Sequence, residues 1–281
     1  DELEDQIERT ALDNQASALS SSVRETGRVI QLVDASQDYM DFIKTSTSDD
    51  FSLQGMKVVL DCSNGATYRI APQLFDELGA EVKSIAIQPD GKNINANCGS
   101  EHPHGLVQEV IGRKADIGLA FDGDGDRLIA VDEKGQTVSG DRILAICAKV
   151  LKQKGRLKNN SVVSTVMSNL GLRMALKDMG INHVMTNVGD RYVLKEMLAR
   201  SAVIGGEDSG HMIFLDHHTT GDGILTAIKL IEAMQVESKA LSELRQIMTV
   251  FPQVLINVKV QRKPYIQNVP RIADGISWVE K

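Results

Sequence analysis

The residues best able to do chemistry form one string, Phe121-Asp122-Gly123-Asp124-Gly125-Asp126-Arg127. Three carboxylates at every second position can turn inward together, because the intervening glycines let the backbone curl tightly at little steric cost. Left alone, three adjacent negative charges repel and raise one another's pKa, so the cluster demands a cation. Oxygen-only ligands at a strand end suit a hard divalent ion, magnesium, which takes few protein ligands and keeps positions for a substrate phosphate. The plain alternative is a solvated acidic turn. The sharper rival is a calcium EF-hand loop, in which Asp122, Asp124 and Asp126 would fill positions one, three and five and Glu133 position twelve. Position six, which needs glycine, is Arg127, and the flanks read as strands rather than helices. Arg127 is either a surface ion-pair partner or, beside a metal, a fork of donors for phosphate oxygens; the second use makes a charge clamp for phosphoryl transfer.

A second loop reads Gly205-Gly206-Glu207-Asp208-Ser209-Gly210-His211. Glu207, Ser209 and His211 alternate as acceptors and donors suited to sugar hydroxyls, although a glycine-rich turn with an exposed Glu and a satisfied His explains the string equally simply. A third, Val188-Gly189-Asp190-Arg191-Tyr192-Val193, follows a β-like run at 184–186 and is either a ligand contact through Gly189, Asp190 and Arg191 or a helix start capped by Asp190. Residues 93–100 read as a polar loop, and Cys98 within it, with no adjacent base, reads as an inert thiol.

The elements that must position these loops alternate. Runs at 56–60, 82–87, 117–121 and 128–131 have β character, with a helical pattern at 70–78 between the first two, which is the rhythm of α/β layering around a largely parallel sheet. The rhythm then returns. Strand, Ser-Asn turn, helix and Gly stop occur at 59–79 and again at 164–180; Ile129-Ala130-Val131-Asp132 leading to Gly140-Asp141 is echoed by Ile213-Phe214-Leu215-Asp216 leading to Gly221-Asp222. Several elements recurring in one order argue for two sister domains, 51–150 and 151–250. In both copies the Gly-Asp pair stands where an N-cap belongs. Residues 1–50 read as helical, with Val29, Val33, Met40 and Ile43 near helical spacing and a polar break at 45–50. Residues 254–260 alternate like a strand. The expected fold class is α/β, two tandem related α/β domains with mixed, largely parallel sheets.

At 281 residues the chain has material for about two domains of roughly 150 residues. Its 31 basic and 38 acidic residues leave a net charge of −7, which gives no field to hold a nucleic acid or an anionic membrane. No apolar run reaches membrane-spanning length, and the acidic start Asp1-Glu2-Leu3-Glu4-Asp5 is unlike a signal peptide, so a cytoplasmic location is expected. Three scattered cysteines, Cys62, Cys98 and Cys147, argue for reduced thiols.

The two diagnostic strings, Asp122 to Arg127 and Gly206-Glu207-Asp208-Ser209-Gly210-His211, resemble in order and context those of the α-D-phosphohexomutases. Asn93-Ile94-Asn95 with Cys98-Gly99-Ser100, Asn64-Gly65-Ala66-Thr67 and the 188–193 string are similar to the glucosamine-phosphate branch of that family. The resemblance implies a four-domain enzyme with one loop from each domain lining a cleft. It also implies magnesium held by Asp122, Asp124 and Asp126, and phosphate passed between an active-site phosphoserine and the sugar. Glucosamine 6-phosphate and glucosamine 1-phosphate are then the expected substrate pair. A phosphomannomutase or phosphoglucomutase is the near alternative, and a non-catalytic metal and sugar-phosphate binder the distant one. A phosphosugar is the expected partner, with a homodimer admitted and neither nucleic acid nor membrane expected. The family's Ser-His-Asn-Pro nucleophile string and its Arg-x-Ser-Gly-Thr-Glu-Pro phosphate loop do not occur in the sequence, which also begins without Met. On this reading the chain is truncated at both ends: 1–50 is the end of a first domain and its connecting helix, and 251–281 a strand and the start of a fourth domain. Inactivity of this chain alone is expected, because the catalytic serine is not in it.

Overall fold

The computed structural model describes residues 2–12, 28–30, 32–48, 50–256, 258–262 and 265–279. They fall into two compact units, one up to Lys44 and one from Thr45 onward. The first holds α1 (Glu2–Leu12) and most of α2 (Ala35–Thr45). The expected helix through Val29 and Val33 does not form: both lie outside any helix with their side chains fully open to solvent. Helix spacing without a face to bury leaves nucleation uncompensated. The remainder of that stretch, residues 13–27 and 31, lies outside the described residues.

The second unit is built on two sheets. In the first, β1 (Lys57–Asp61) lies between β2 (Glu81–Ile85) and β3 (Ile117–Phe121) in parallel, and β4 (Leu128–Asp132) and β5 (Thr137–Val138) continue from β3 antiparallel. In the second, β6 (Ser161–Thr165) lies between β7 (Asn182–Thr186) and β8 (Ile204–Gly206) in parallel, with β9 (Met212–Phe214) antiparallel beyond β8. Both sheets are therefore mixed, and in the first the parallel character ends at β3, because a six-residue connection can close a hairpin but cannot carry the crossover a parallel neighbour needs.

Each sheet is served by equivalent helices. α3 (Ile70–Glu77) and α6 (Leu170–Asp178) connect the first two strands of each copy, and α4 (His104–Arg113) and α7 (Asp190–Arg200) follow. Leu106 and Val110 of α4 bury against Val59, Ala120 and Val131, as Val193 and Met197 of α7 do against Val163 and Ile213. These apolar contacts, worth about 1.5–3 kcal/mol per fully buried side chain, orient each sheet beneath its loops.

The third helix of each copy is exchanged. α5 (Gly140–Gln153), which leaves the first sheet, packs on β8 of the second; α8 (Gly223–Glu237), which leaves the second, packs on β3 and β4 of the first; and the two helices pack on each other. A short α9 (Leu241–Leu244) follows, and α10 (Pro270–Val279) comes last. The strand expected at 254–260 is not found: residues 254–256 and 258–260 are exposed and unpaired, and 257 lies outside the described residues. Alternation supplies a strand's side-chain pattern, but without a neighbouring edge there is no ladder to hold it. No helix among the described residues is long and apolar enough to cross a membrane.

Candidate functional site

The acidic string is the hairpin connection between β3 and β4, flanked by strands on both sides as the residues around it predict, where an EF-hand loop would be flanked by helices. One carboxylate oxygen from each of Asp122, Asp124 and Asp126 lies within 4.8 Å of the others. Asp122 is buried, Asp126 half-buried and Asp124 exposed, so the cluster opens to solvent on one side. Burial pushes the Asp122 carboxyl up to about 7, with the Asp126 charge adding to the push and the Arg127 amide opposing it. Asp126 Oδ1 is buried without a hydrogen-bond partner. A hard oxygen donor set with a lone pair unsatisfied in the interior fits a divalent cation.

Of the two roles the sequence allows Arg127, the structure shows the ion pair. Its Nε lies 3.1 Å from Asp122 Oδ2 and 3.5 Å from Asp126 Oδ1, and its guanidinium reaches Glu101 at 3.7 Å. Arg127 thus sits in an ion-pair network with one side of the guanidinium in water.

The loop is gripped from behind. The Ala66 amide donates to the Gly123 carbonyl at 2.8 Å, and a Cβ on Gly65 would lie 2.2 Å from that same oxygen, so only glycine allows this approach. Asn95 and Ile94 press on Gly123, and Thr67 on Gly125. Asp61, not singled out beforehand, accepts the Ser63 amide at 3.0 Å and the Gly99 amide at 2.8 Å, tying the 93–100 stretch to the end of β1. Burial and the Asp61 charge hold the Cys98 thiol above its usual pKa, which disfavours the thiolate.

The 207–211 loop is the corresponding connection between β8 and β9. The two hairpins meet: Arg127 and His211 form an antiparallel bridge, and the Leu128 amide donates to the Gly210 carbonyl at 3.1 Å. His211 is buried, with Nε2 3.5 Å from Asp126 Oδ2 and 4.0 Å from Asp190 Oδ2. Its ring rests on Gly221, where a Cβ would fall 2.3 Å from Nε2. Glu207 Oε1 accepts the Gly189 amide at 3.0 Å, which brings the 188–191 loop to the same place. Ser209 is exposed beside them.

Asp190 is not the cap of α7. Gly189 holds the N-cap position at φ +125°, and the Asp190 carboxylate accepts the adjacent Arg191 amide at 2.7 Å. Arg191 is exposed, stacks over Tyr192 at 5.5 Å and has no ion pair among the described residues. The Gly-Asp pairs also diverge. Asp222 caps α8, accepting the Leu225 amide at 2.9 Å, but the cap position of α5 is Ser139, and Asp141 lies inside the helix, where its fully buried carboxylate accepts the Asn169 amide at 2.6 Å. Asp208, Asp141 and Asn169 form a group that local sequence pattern does not reveal: the recurrent Gly-Asp is the available signal, and by itself it indicates a local cap.

Models of phosphoglucomutase/phosphomannomutase alpha/beta/alpha domain II and domain III match residues 37–135 and 139–251. The chain is 56% identical over its whole length to the phosphoglucosamine mutase of Syntrophus aciditrophicus, of which it covers 63%. It spans less than two thirds of the length of that relative. Among solved structures it is similar to a phosphoglucomutase/phosphomannomutase family protein from Burkholderia thailandensis, with a TM-score of 0.66, 27% identity and coverage of 79% of this chain and 47% of that one. It shares its fold with the Aspergillus fumigatus N-acetylphosphoglucosamine mutase solved with GlcNAc-6P and magnesium, with a TM-score of 0.60, 18% identity and coverage of 79% and 54%.

Proposed function

The chain belongs to the phosphoglucomutase/phosphomannomutase family, and from that premise we propose that it is the metal-binding and sugar-binding centre of a phosphoglucosamine mutase interconverting glucosamine 6-phosphate and glucosamine 1-phosphate. The observation that carries the reading is the meeting of the two hairpin loops at Arg127 and His211, which sets three convergent carboxylates beside Glu207 and Ser209. Identity of 56% to a phosphoglucosamine mutase supports the choice of amino sugar. Residues 51–150 and 151–250 are read as the sister domains that present these loops.

Asp122, Asp124 and Asp126 would hold magnesium, which when bound neutralises charge on a transferring phosphoryl group. Arg127, anchored by Asp122 and Asp126, turns its open side to phosphate oxygens, and exposed Arg191, with no ion pair among the described residues, offers a further guanidinium. Glu207 and Ser209 bind sugar hydroxyls, the carboxylate already oriented by the Gly189 amide. His211 spans the metal loop and the 188–191 loop. The sequence holds no Ser-His-Asn-Pro string, so the phosphorylated serine of the full reaction is not among these residues.

Calorimetric titration of the chain with magnesium, and then with glucosamine 6-phosphate, tests the reading. Asp124→Asn should remove the metal signal. Glu207→Gln and Ser209→Ala should weaken phosphosugar binding by about tenfold, the worth of one charged hydrogen bond, with magnesium affinity kept. Metal binding lost in the Glu207 variant with sugar binding intact would mean the two loops are assigned the wrong way round. Equal or tighter binding of mannose or glucose phosphates would overturn the amino-sugar specificity.

A further inference from the structure

The exchange of α5 and α8 seats each hairpin loop on the first turn of the helix from the other copy. The metal loop is held through backbone alone, the Gly223 amide at the start of α8 donating to the Gly125 carbonyl at 2.8 Å. The sugar loop is held twice by α5: the Gly140 amide donates to the Asp208 carbonyl at 3.0 Å, and the Asp141 amide to Asp208 Oδ1 at 3.2 Å. Those two amides belong to the set that every helix leaves free at its N-terminus, and the partial positive charge there favours a carboxylate. Gly140 admits this approach, since a Cβ on it would lie 2.1 Å from the Glu207 carbonyl oxygen. From Asp141 the connection continues through Oδ2 to the Asn169 amide, and Asn169 in turn exchanges hydrogen bonds with the backbone of Phe251.

We propose that Asp208 is a positioning residue for sugar recognition: by fastening the middle of its loop to the N-terminus of α5, it sets the direction in which Glu207 and Ser209 present their oxygens. Asp208 and Ser209 are the central residues of the tight turn that the Gly210 amide closes on the Glu207 carbonyl at 3.0 Å, so the contact of Asp208 with α5 fixes the backbone on which both of its neighbours stand. The Gly189 amide fixes one Glu207 oxygen, and the Asp208 contact fixes the backbone from which that carboxylate springs. Asp208 is itself exposed, so replacing it disturbs no core packing.

This inference rests on the assignment of Glu207 and Ser209 to sugar binding. The test compares Asp208→Ala, Asp208→Asn and Glu207→Gln in the 281-residue chain, with glucosamine 6-phosphate and magnesium titrated separately and thermal melts run in parallel. Asp208→Ala should weaken phosphosugar binding about tenfold, with magnesium affinity and melting temperature near those of the parent. Asp208→Asn keeps an acceptor oxygen for the Asp141 amide and should restore binding to within about threefold. Unchanged phosphosugar binding in Asp208→Ala, with or without a fall in melting temperature, would overturn the positioning role. An equal loss in Asp208→Ala and Asp208→Asn would also overturn it, by showing that the charge meets the ligand directly. If Glu207→Gln itself leaves phosphosugar binding unchanged, the assignment of the loop fails first.

Discussion

Asp141 is the residue at which burial, charge and position bear most directly on one another. Its carboxylate is fully buried, and burial first, then the Asp208 charge, push its pKa up to about 6. An unfolded aspartate titrates near 3.9, so between roughly pH 4 and 6 the folded chain holds a proton that the unfolded chain has released. Stability therefore falls as pH rises through that window, by on the order of 2–3 kcal/mol, and stays at the lower level above it. Asp141→Asn keeps an oxygen for the Asn169 amide and removes the charge. It should raise the melting temperature at pH 7–8 and flatten this part of the pH profile. Melts across pH 4–8 check it, and an unaltered slope would place the penalty on another group. Such a residue was visible in the sequence only as half of a recurrent Gly-Asp pair. Its partner, Asn169, lies 28 positions away, and nothing in local spacing reveals a hydrogen bond made through chain reversal.

Two elements carry predictions of their own. The first turn of α8 both caps itself and supports the metal loop: Asp222 accepts the Leu225 amide, and Gly223 donates to Gly125. Asp222→Ala should cost about 0.5–2 kcal/mol in chemical denaturation and also weaken magnesium binding. Loss of stability with metal affinity untouched would show that the cap and the loop are independent. The turn after β1 is the other element. Gly65→Ala would drive a methyl group into the Gly123 carbonyl, backbone against backbone, so neither side can yield cheaply. The metal loop should shift and magnesium affinity fall by about tenfold or more, read by the same titration. Strands, helices and their order were largely legible, since β3 spans the five residues that the apolar run 117–121 picked out. The misreadings at Val29 and Val33 and at 254–260 share one cause: periodicity reports which face could be buried, and here no face is.

At the scale of the molecule, two sheets of the same plan trade their third helices and bring two loops together about 85 positions apart in the sequence. On the proposed reading, the three carboxylates, the guanidinium and the 207–211 loop stabilise charge and orient a substrate, but a mutase reaction also needs a group that carries phosphate between its two half-reactions. The purified chain should bind glucosamine 6-phosphate and show no conversion to glucosamine 1-phosphate in a coupled or phosphorus NMR assay. Sustained turnover would mean that another nucleophile resides among these residues.

By itself the sequence determined the α/β class, the internal repeat, an acidic loop with oxygen donors at alternate positions and a second, glycine-rich polar loop. Each of these is written in residue types at fixed short spacing, and local backbone chemistry reads such spacing directly. Only the tertiary structure decided that Arg127 closes on Asp122 and Asp126, that His211 reaches Asp126, and that Asp208 and Asp141 join the loop to a helix from the other copy. Those contacts depend on where α5 and α8 come to rest. That is set by apolar surfaces and glycine-sized gaps summed over the whole unit, a quantity that no single stretch of sequence contains.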